Sequence, residues 1–161
     1  MTDGYRVLFV CTGNTCRSVI AAQVLRRELA DAGLAGEVAS AGLRVLAEGA
    51  AADPRAQDVL RRHGYQSEHQ TRQFDPAMLA DYDLVIGLDS MHVLVLRQAA
   101  AGVASAAPIR LLGSFDPAAQ AGWDVPDPVT GGPEDYERVL MMVRSAVPGV
   151  VAAVRDGGPA G

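Results

Sequence analysis

The apolar positions of this chain fall into two kinds of run. Residues 6–10 (RVLFV), 37–40, 83–88 (DLVIGL) and 109–112 are short stretches bounded by turn residues, and they read as buried strands. Between them the spacing is helical. In residues 18–32, Val19, Ile20, Val24, Leu25 and Leu29 share one face, and Gly33 suits the C-terminal cap. Asp53-Pro54 supplies an N-cap followed by proline at the first helical position, and Gly64 closes that helix. Asp75-Pro76 repeats the start signal for a short helix; residues 90–100 and 133–155 read as two more, the last kinked near Pro148. Residues 113–133 are rich in Gly, Pro and Asp and read as a long loop, of a length that is usually functional or disordered. Residues 156–161 are expected to fray.

Strands that are apolar on both faces and alternate with helices predict a parallel sheet covered on each side. The expected fold is α/β: one domain spanning residues 1–161, a four-stranded parallel sheet of Rossmann-like type. Ligands in such folds sit at the carboxyl ends of the strands.

Composition narrows the function. The net charge of −5, with all 14 basic residues arginine, argues against a broad nucleic-acid surface. No apolar run reaches the ~18 residues of a membrane span, and the N-terminus lacks a signal-peptide layout. The expectation is a soluble, cytoplasmic protein, with no membrane partner and a monomer or weak dimer. Two cysteines, Cys11 and Cys16, are too few for a disulfide framework. With three histidines no metal site is expected, and His63 and His92 read as ordinary helix residues.

The turn after the first strand carries the chemistry. Cys11-Thr12-Gly13-Asn14-Thr15-Cys16-Arg17-Ser18 joins strand to helix, so its backbone N–H groups can converge at a helix N-terminus and bind an anion. Gly13 allows close backbone approach, and Asn14 tolerates left-handed geometry. Arg17 adds a planar fork for two phosphate oxygens. A cysteine in such a field has its thiol pKa lowered from about 8.5 toward roughly 3.5–7.5, and Ser18 can donate to its sulfur. One loop thus supplies nucleophile, oxyanion binding and charge neutralisation. A lone cysteine ending a strand would be inert packing; Cys-x5-Arg-Ser between a strand and a helix is a functional pattern. Three carboxylates on the long loop, Asp116, Asp124 and Asp127, are candidate acids, and the residues alone do not choose among them.

These residues resemble the signature of the low-molecular-weight protein-tyrosine-phosphatase family. Ser40-Ala41-Gly42, Asp53-Pro54-Arg55-Ala56, His69-Gln70-Thr71-Arg72-Gln73 and Asp124-Val125-Pro126-Asp127-Pro128 resemble further motifs of that family, in the family's order and over nearly the whole chain. The resemblance implies a phosphatase acting on phosphotyrosine in proteins through a phosphocysteine, with no metal and no cofactor. It implies Cys11 as nucleophile and Arg17 with the amides of Thr12 to Ser18 as phosphate holder. It makes Asp127 the general acid, then the base. Asn14, Ser18, Ser40 and His69 would form the network supporting the loop. It makes Asp53 a helix cap, and it suggests a reversible disulfide between Cys16 and Cys11 that protects the nucleophile.

The chain departs from the pattern at the substrate walls. Aromatics expected after Asp127-Pro128 are replaced by Val129 and Thr130, and the place of a tryptophan past Ser-Ala-Gly is taken by Leu46. Trp123 is a candidate replacement wall. Thr15 resembles the protein-arginine-phosphatase branch, so phosphoarginine is the alternative substrate, and a small phosphorylated metabolite is a third. An arsenate-reductase-like enzyme would need further cysteines, which residues 83–90 lack; a catalytically dead phosphate-binding module would have lost Cys, Arg or Asp, and all three are present.

Overall fold

The structure is a computed structural model, describing residues 4–119 and 122–157. Four parallel strands, β1 (Tyr5–Cys11), β2 (Gly36–Gly42), β3 (Leu84–Gly87) and β4 (Ile109–Leu111), form one sheet in the order β2-β1-β3-β4. Helices α1 (Arg17–Asp31), α2 (Pro54–Arg62), α3 (Ser90–Ala100) and α4 (Pro133–Arg155) connect and cover it. Asp75-Pro76 opens a single 3₁₀ turn, Pro76–Ala80, rather than an α-helix.

Strand β1 is central, which is why its residues are apolar without alternation. Val7 and Phe9 pack with α1, α2 and α4; Leu8 and Val10 pack with Phe74, Leu79, Val93 and Leu96 on the opposite face. All four are fully buried, each worth roughly 1.5–3 kcal/mol of apolar burial. Helix α1 is wedged between the sheet and α4, so residues 17–25 are all buried, polar ones included.

The helix ends follow their local chemistry. Asp53 accepts from the Arg55 backbone N–H ahead of Pro54, and Gly64 takes φ +81° past the end of α2. Helix α4 runs through Pro148 without interruption, and at Gly149 it approaches Phe115 so closely that an added Cβ would lie 2.2 Å from the Phe115 carbonyl oxygen. The long loop opens on a 3₁₀ turn, Leu112–Phe115. Asp156 is the C-cap of α4, and the N–H groups of Asp156 and Gly157 donate to the Ala152 and Val154 carbonyls; residues 158–161, where fraying is expected, lie outside the described residues.

From β1 the chain crosses to β2 on one side; from β3 it crosses to β4 on the other. The connections therefore diverge at the carboxyl ends of β1 and β3, leaving the crevice where parallel sheets bind ligands. No described helix is long and apolar enough to cross a membrane.

Candidate active site

Residues 11–18 leave the end of β1, turn, and enter α1 at this crevice. Among the described residues, the backbone N–H groups from Gly13 to Ser18 donate to no protein acceptor. Six unspoken-for donors in one turn, at the start of a 15-residue helix, form a cradle for a tetrahedral anion. The turn is held open by its neighbours. Asn14 sits at φ +59°, is fully buried, and uses its whole amide: Nδ2 donates to Ser18 Oγ (2.8 Å) and Ser40 Oγ (3.0 Å), and Oδ1 accepts from the Arg72 N–H (3.0 Å). His69 Nε2 donates to the Asn14 carbonyl at 2.8 Å, and burial pushes the His69 pKa down.

Because Ser18 Oγ accepts from Asn14, its own proton is free for Cys11 Sγ, 2.9 Å away. Cys11 is 2% exposed.

Each of the sequence motifs has a physical job at this turn. In Ser40-Ala41-Gly42, Ser40 receives Asn14, and Gly42 lies where a Cβ would meet the Thr12 carbonyl oxygen at 2.8 Å and Asn14 Cβ at 3.0 Å. The stretch 69–73 delivers His69 and the Arg72 N–H to Asn14, while Gln73 ties the turn after β2 through the Val45 N–H and the Leu43 carbonyl. At residues 53–56, the Asp53 N–H donates to the Thr15 carbonyl, and Arg55 stacks on Tyr136 and reaches the Gly131 carbonyl. Hydrogen bonding from Arg55 holds the Asp53 carboxyl below the usual range, as befits a cap.

Arg17 is 5% exposed, and its guanidinium is aimed by three elements. Nη1 donates to Asp89 Oδ2 (2.8 Å) and to the Val125 carbonyl (3.0 Å); Nη2 lies 3.4 Å from Thr12 Oγ1 and 3.8 Å from Asp127 Oδ2. A buried cation with its fork fixed beside the cradle can clamp phosphate oxygens. Burial pushes the Asp89 carboxyl upward, but the His92 N–H, the His92 ring and Arg17 outweigh it, and its pKa ends below the ordinary value.

The three loop carboxylates separate cleanly. Asp116 accepts from Trp123 Nε1 and the Ala118 N–H. Asp124 accepts from the N–H and hydroxyl of Ser90, at the start of α3. Asp127 lines a cavity of about 260 Å³ together with Cys11, Thr12, Thr15 and Arg17, and its side chain is half exposed. The mouth of that cavity is formed by Arg44, Leu46 and Val129. Leu46 is 98% exposed and Val129 47%, so neither is held by packing.

Three expectations need correction. Trp123 is not a wall: its indole is tied to Asp116 at 3.0 Å and packs on the core, fastening the loop. Thr130 does not line the cavity either. His92 is no ordinary helix residue: it is 2% exposed and bonds to Thr12. Asp89, which the sequence does not single out, is also part of the site. Its only sequence signal was an acidic residue one position before a helix at the end of a strand, which reads as a cap, and it is one. His63 does remain a surface residue, paired with Glu137 at 2.8 Å. Among the described residues no cluster of three or more His, Cys, Asp or Glu side chains is placed to hold a metal ion.

Cys16 is buried and faces the Tyr136 hydroxyl at 3.4 Å; burial pushes both the Cys16 thiol and the Tyr136 hydroxyl up.

Comparison with known proteins matches residues 6–158 to the family model described as low molecular weight phosphotyrosine protein phosphatase. The low molecular weight protein-tyrosine-phosphatase of Streptomyces coelicolor is 48% identical over 94% of each chain. The low molecular weight protein-tyrosine phosphatase A of Mycobacterium tuberculosis is 43% identical over 93% of this chain and 91% of its own. Among solved structures, the Drosophila arginine phosphatase superposes with a TM-score of 0.84 at 28% identity, covering 91% of this chain and 95% of that one.

Proposed function

The chain belongs to the low molecular weight phosphotyrosine protein phosphatase family, and from that premise we propose that it hydrolyses phosphotyrosine in proteins through a phosphocysteine formed on Cys11. The observation that carries this reading is the meeting of Cys11, Arg17 and Asp127 on one small cavity floored by six unpaired N–H groups.

In the first step Cys11 Sγ attacks phosphorus. The S–P bond forms as the P–O bond to the tyrosyl oxygen breaks, and protonated Asp127 gives its proton to that departing oxygen. The cradle amides and Arg17 hold the three equatorial oxygens, stabilising charge that is spread over them in the transition state. In the second step the Asp127 carboxylate takes a proton from water as the water oxygen attacks phosphorus, and the S–P bond breaks to return the Cys11 thiolate and release inorganic phosphate. Asn14, Ser18, Ser40 and His69 keep the cradle in shape. Thr12, Gly13, Thr15 and Cys16 contribute backbone donors or lining. We place the protein in the cytoplasm, where its free thiols Cys11 and Cys16 stay reduced, as a monomer or weak dimer.

Phosphoarginine is the second reading, supported by the polar Thr15 in the lining and by the unstacked mouth at Leu46 and Val129. Against it stands Arg44. Its backbone N–H is pinned to the Thr12 carbonyl at 2.8 Å, the residue lines the mouth, and its side chain has no hydrogen-bond or ion-pair partner among the described residues, so its positive charge is available there. A guanidinium leaving group would meet a like charge there; a phenol ring would not. The test is kinetic. Wild-type protein is expected to turn over a small aryl phosphate, Cys11→Ser to lose that turnover while staying folded, and phosphotyrosine peptides to exceed phosphoarginine peptides in kcat/KM. Substantial turnover by Cys11→Ser would overturn the nucleophile assignment, and the reverse substrate order would overturn tyrosine.

A further inference from the structure

His92 lies beside the cradle, and its two ring nitrogens can be assigned. The Asp89 backbone N–H points at Nδ1 from 3.2 Å, so Nδ1 is the acceptor. Burial pushes the His92 pKa down to about 4, leaving the ring neutral near pH 7 with its one proton on Nε2. Nε2–H is then the donor to Thr12 Oγ1, 2.9 Å away, and Arg17 Nη2, which lies 3.5 Å from the same nitrogen, cannot donate to it and is left to face Thr12.

Arg17 Nη2, a donor in any protonation state, also faces Thr12 Oγ1, at 3.4 Å. A hydroxyl oxygen has two acceptor sites and one proton. With His92 and Arg17 occupying both acceptor sites, the Thr12 proton has to point away from them. The remaining side of Thr12 is exposed and lines the cavity that Cys11 and Asp127 share. The position is on the Asp127 side of the site: Arg17 Nη2 is within reach of both Thr12 Oγ1 and Asp127 Oδ2, at 3.4 and 3.8 Å.

We infer that Thr12 is a substrate-touching hydrogen-bond donor on the leaving-group side of the site, and that His92 is the positioning residue that fixes the direction of its proton. The inference rests on the phosphatase reading above. Asp127 transfers a proton to the departing oxygen; Thr12 donates a hydrogen bond to the same oxygen without giving its proton up. His92 touches no substrate and acts only through Thr12.

The test uses full-length protein and a series of aryl phosphates of graded leaving-group pKa, with inorganic phosphate as competitive inhibitor. Thr12→Val keeps the shape and removes the hydroxyl at an exposed position, so folding is not at issue. It is expected to lower kcat/KM about ten-fold on poor leaving groups, the size of one hydrogen bond to a developing charge. The loss should be smaller on good leaving groups, with the inhibition constant of inorganic phosphate unchanged. Thr12→Ser should recover activity. His92→Leu should match Thr12→Val but add nothing in the Thr12→Val background, and His92→Gln, which keeps a terminal N–H donor, should recover activity. Wild-type rates for Thr12→Val, a loss independent of the leaving group, or a His92→Leu penalty that persists without the Thr12 hydroxyl would each overturn the inference. An inactive wild-type protein would instead overturn the phosphatase reading itself.

Discussion

Asn14→Ala is the most exposing perturbation of the cradle. Three contributions add in the folded state. The position sits at φ +59°, which asparagine tolerates and alanine does not, at a cost of about 1 kcal/mol. The part-buried Arg72 N–H loses its acceptor, and an orphaned donor costs at most roughly 1–3 kcal/mol. The bonds to Ser18 and Ser40 are lost at about 1 kcal/mol each, less whatever the two hydroxyls recover by turning. The expected loss is therefore about 3–5 kcal/mol, a large share of the roughly 5–15 kcal/mol that a domain holds in total. Urea unfolding should show the midpoint falling with an unchanged slope. Asn14→Gly separates the parts: glycine accepts the positive φ but makes none of the bonds, so it should be about 1 kcal/mol less damaging than alanine. Both variants should lose kcat far beyond their effect on KM, because Ser18 no longer has a partner that directs its proton to Cys11. A loss below about 1 kcal/mol for Asn14→Ala, or glycine as damaging as alanine, would refute this account of what holds the turn.

Asp127→Asn should slow hydrolysis by about 10²–10⁴-fold on poor leaving groups and much less on good ones, whereas Asp124→Asn, which weakens only the cap on Ser90, should shift stability rather than that dependence. Arg17→Lys should be nearly as inactive as Cys11→Ser, since an ammonium cannot satisfy Asp89, the Val125 carbonyl and a phosphate fork together; near-normal kcat would refute the clamp. Mild peroxide should inactivate reversibly with Cys11 joined to Cys16, read by mass spectrometry, and irreversible sulfinic or sulfonic Cys11 alone would refute protection. Stability should also depend on pH through His92: its pKa is about 4 folded against roughly 6.5 unfolded, so between those values the unfolded chain binds more protons and stability falls as pH falls. The full window is worth about 3 kcal/mol, of which about 2 kcal/mol falls between pH 7 and 5, and His92→Gln should remove that part from urea titrations at those two pH values.

What this sequence determined by itself was mostly local. Cys-x5-Arg-Ser after a buried strand, Asp53-Pro54 and Gly64 around α2, and the lysine-free acidic surface each depend on neighbours within a few residues, where chain geometry leaves little choice. Even the sheet was legible, because a central parallel strand must be apolar on both faces. The family likeness placed Asn14, Ser18, Ser40 and His69 near one another, and the fold supplied the reason: one fully buried amide satisfies partners on β1's turn, β2 and the 69–73 stretch.

The tertiary structure decided which of several chemically equal side chains reach the cavity. Asp116, Asp124 and Asp127 share one loop; Trp123 and Ser90, 7 and 34 residues away, hold the first two, whereas Asp127, among the described residues, accepts only from the Val129 N–H two residues on and faces Arg17. Trp123 looked like a wall until its indole was seen tied to Asp116. Asp89 and His92 carried no local signal beyond a helix start, yet the order β2-β1-β3-β4 sets the carboxyl end of β3 beside that of β1 and so brings both onto Arg17 and Thr12 across 72 and 80 residues of sequence. A hydrogen bond depends on direction and on what else competes for the same atom. Those are properties of the packed sheet, and the order of residues along the chain does not contain them.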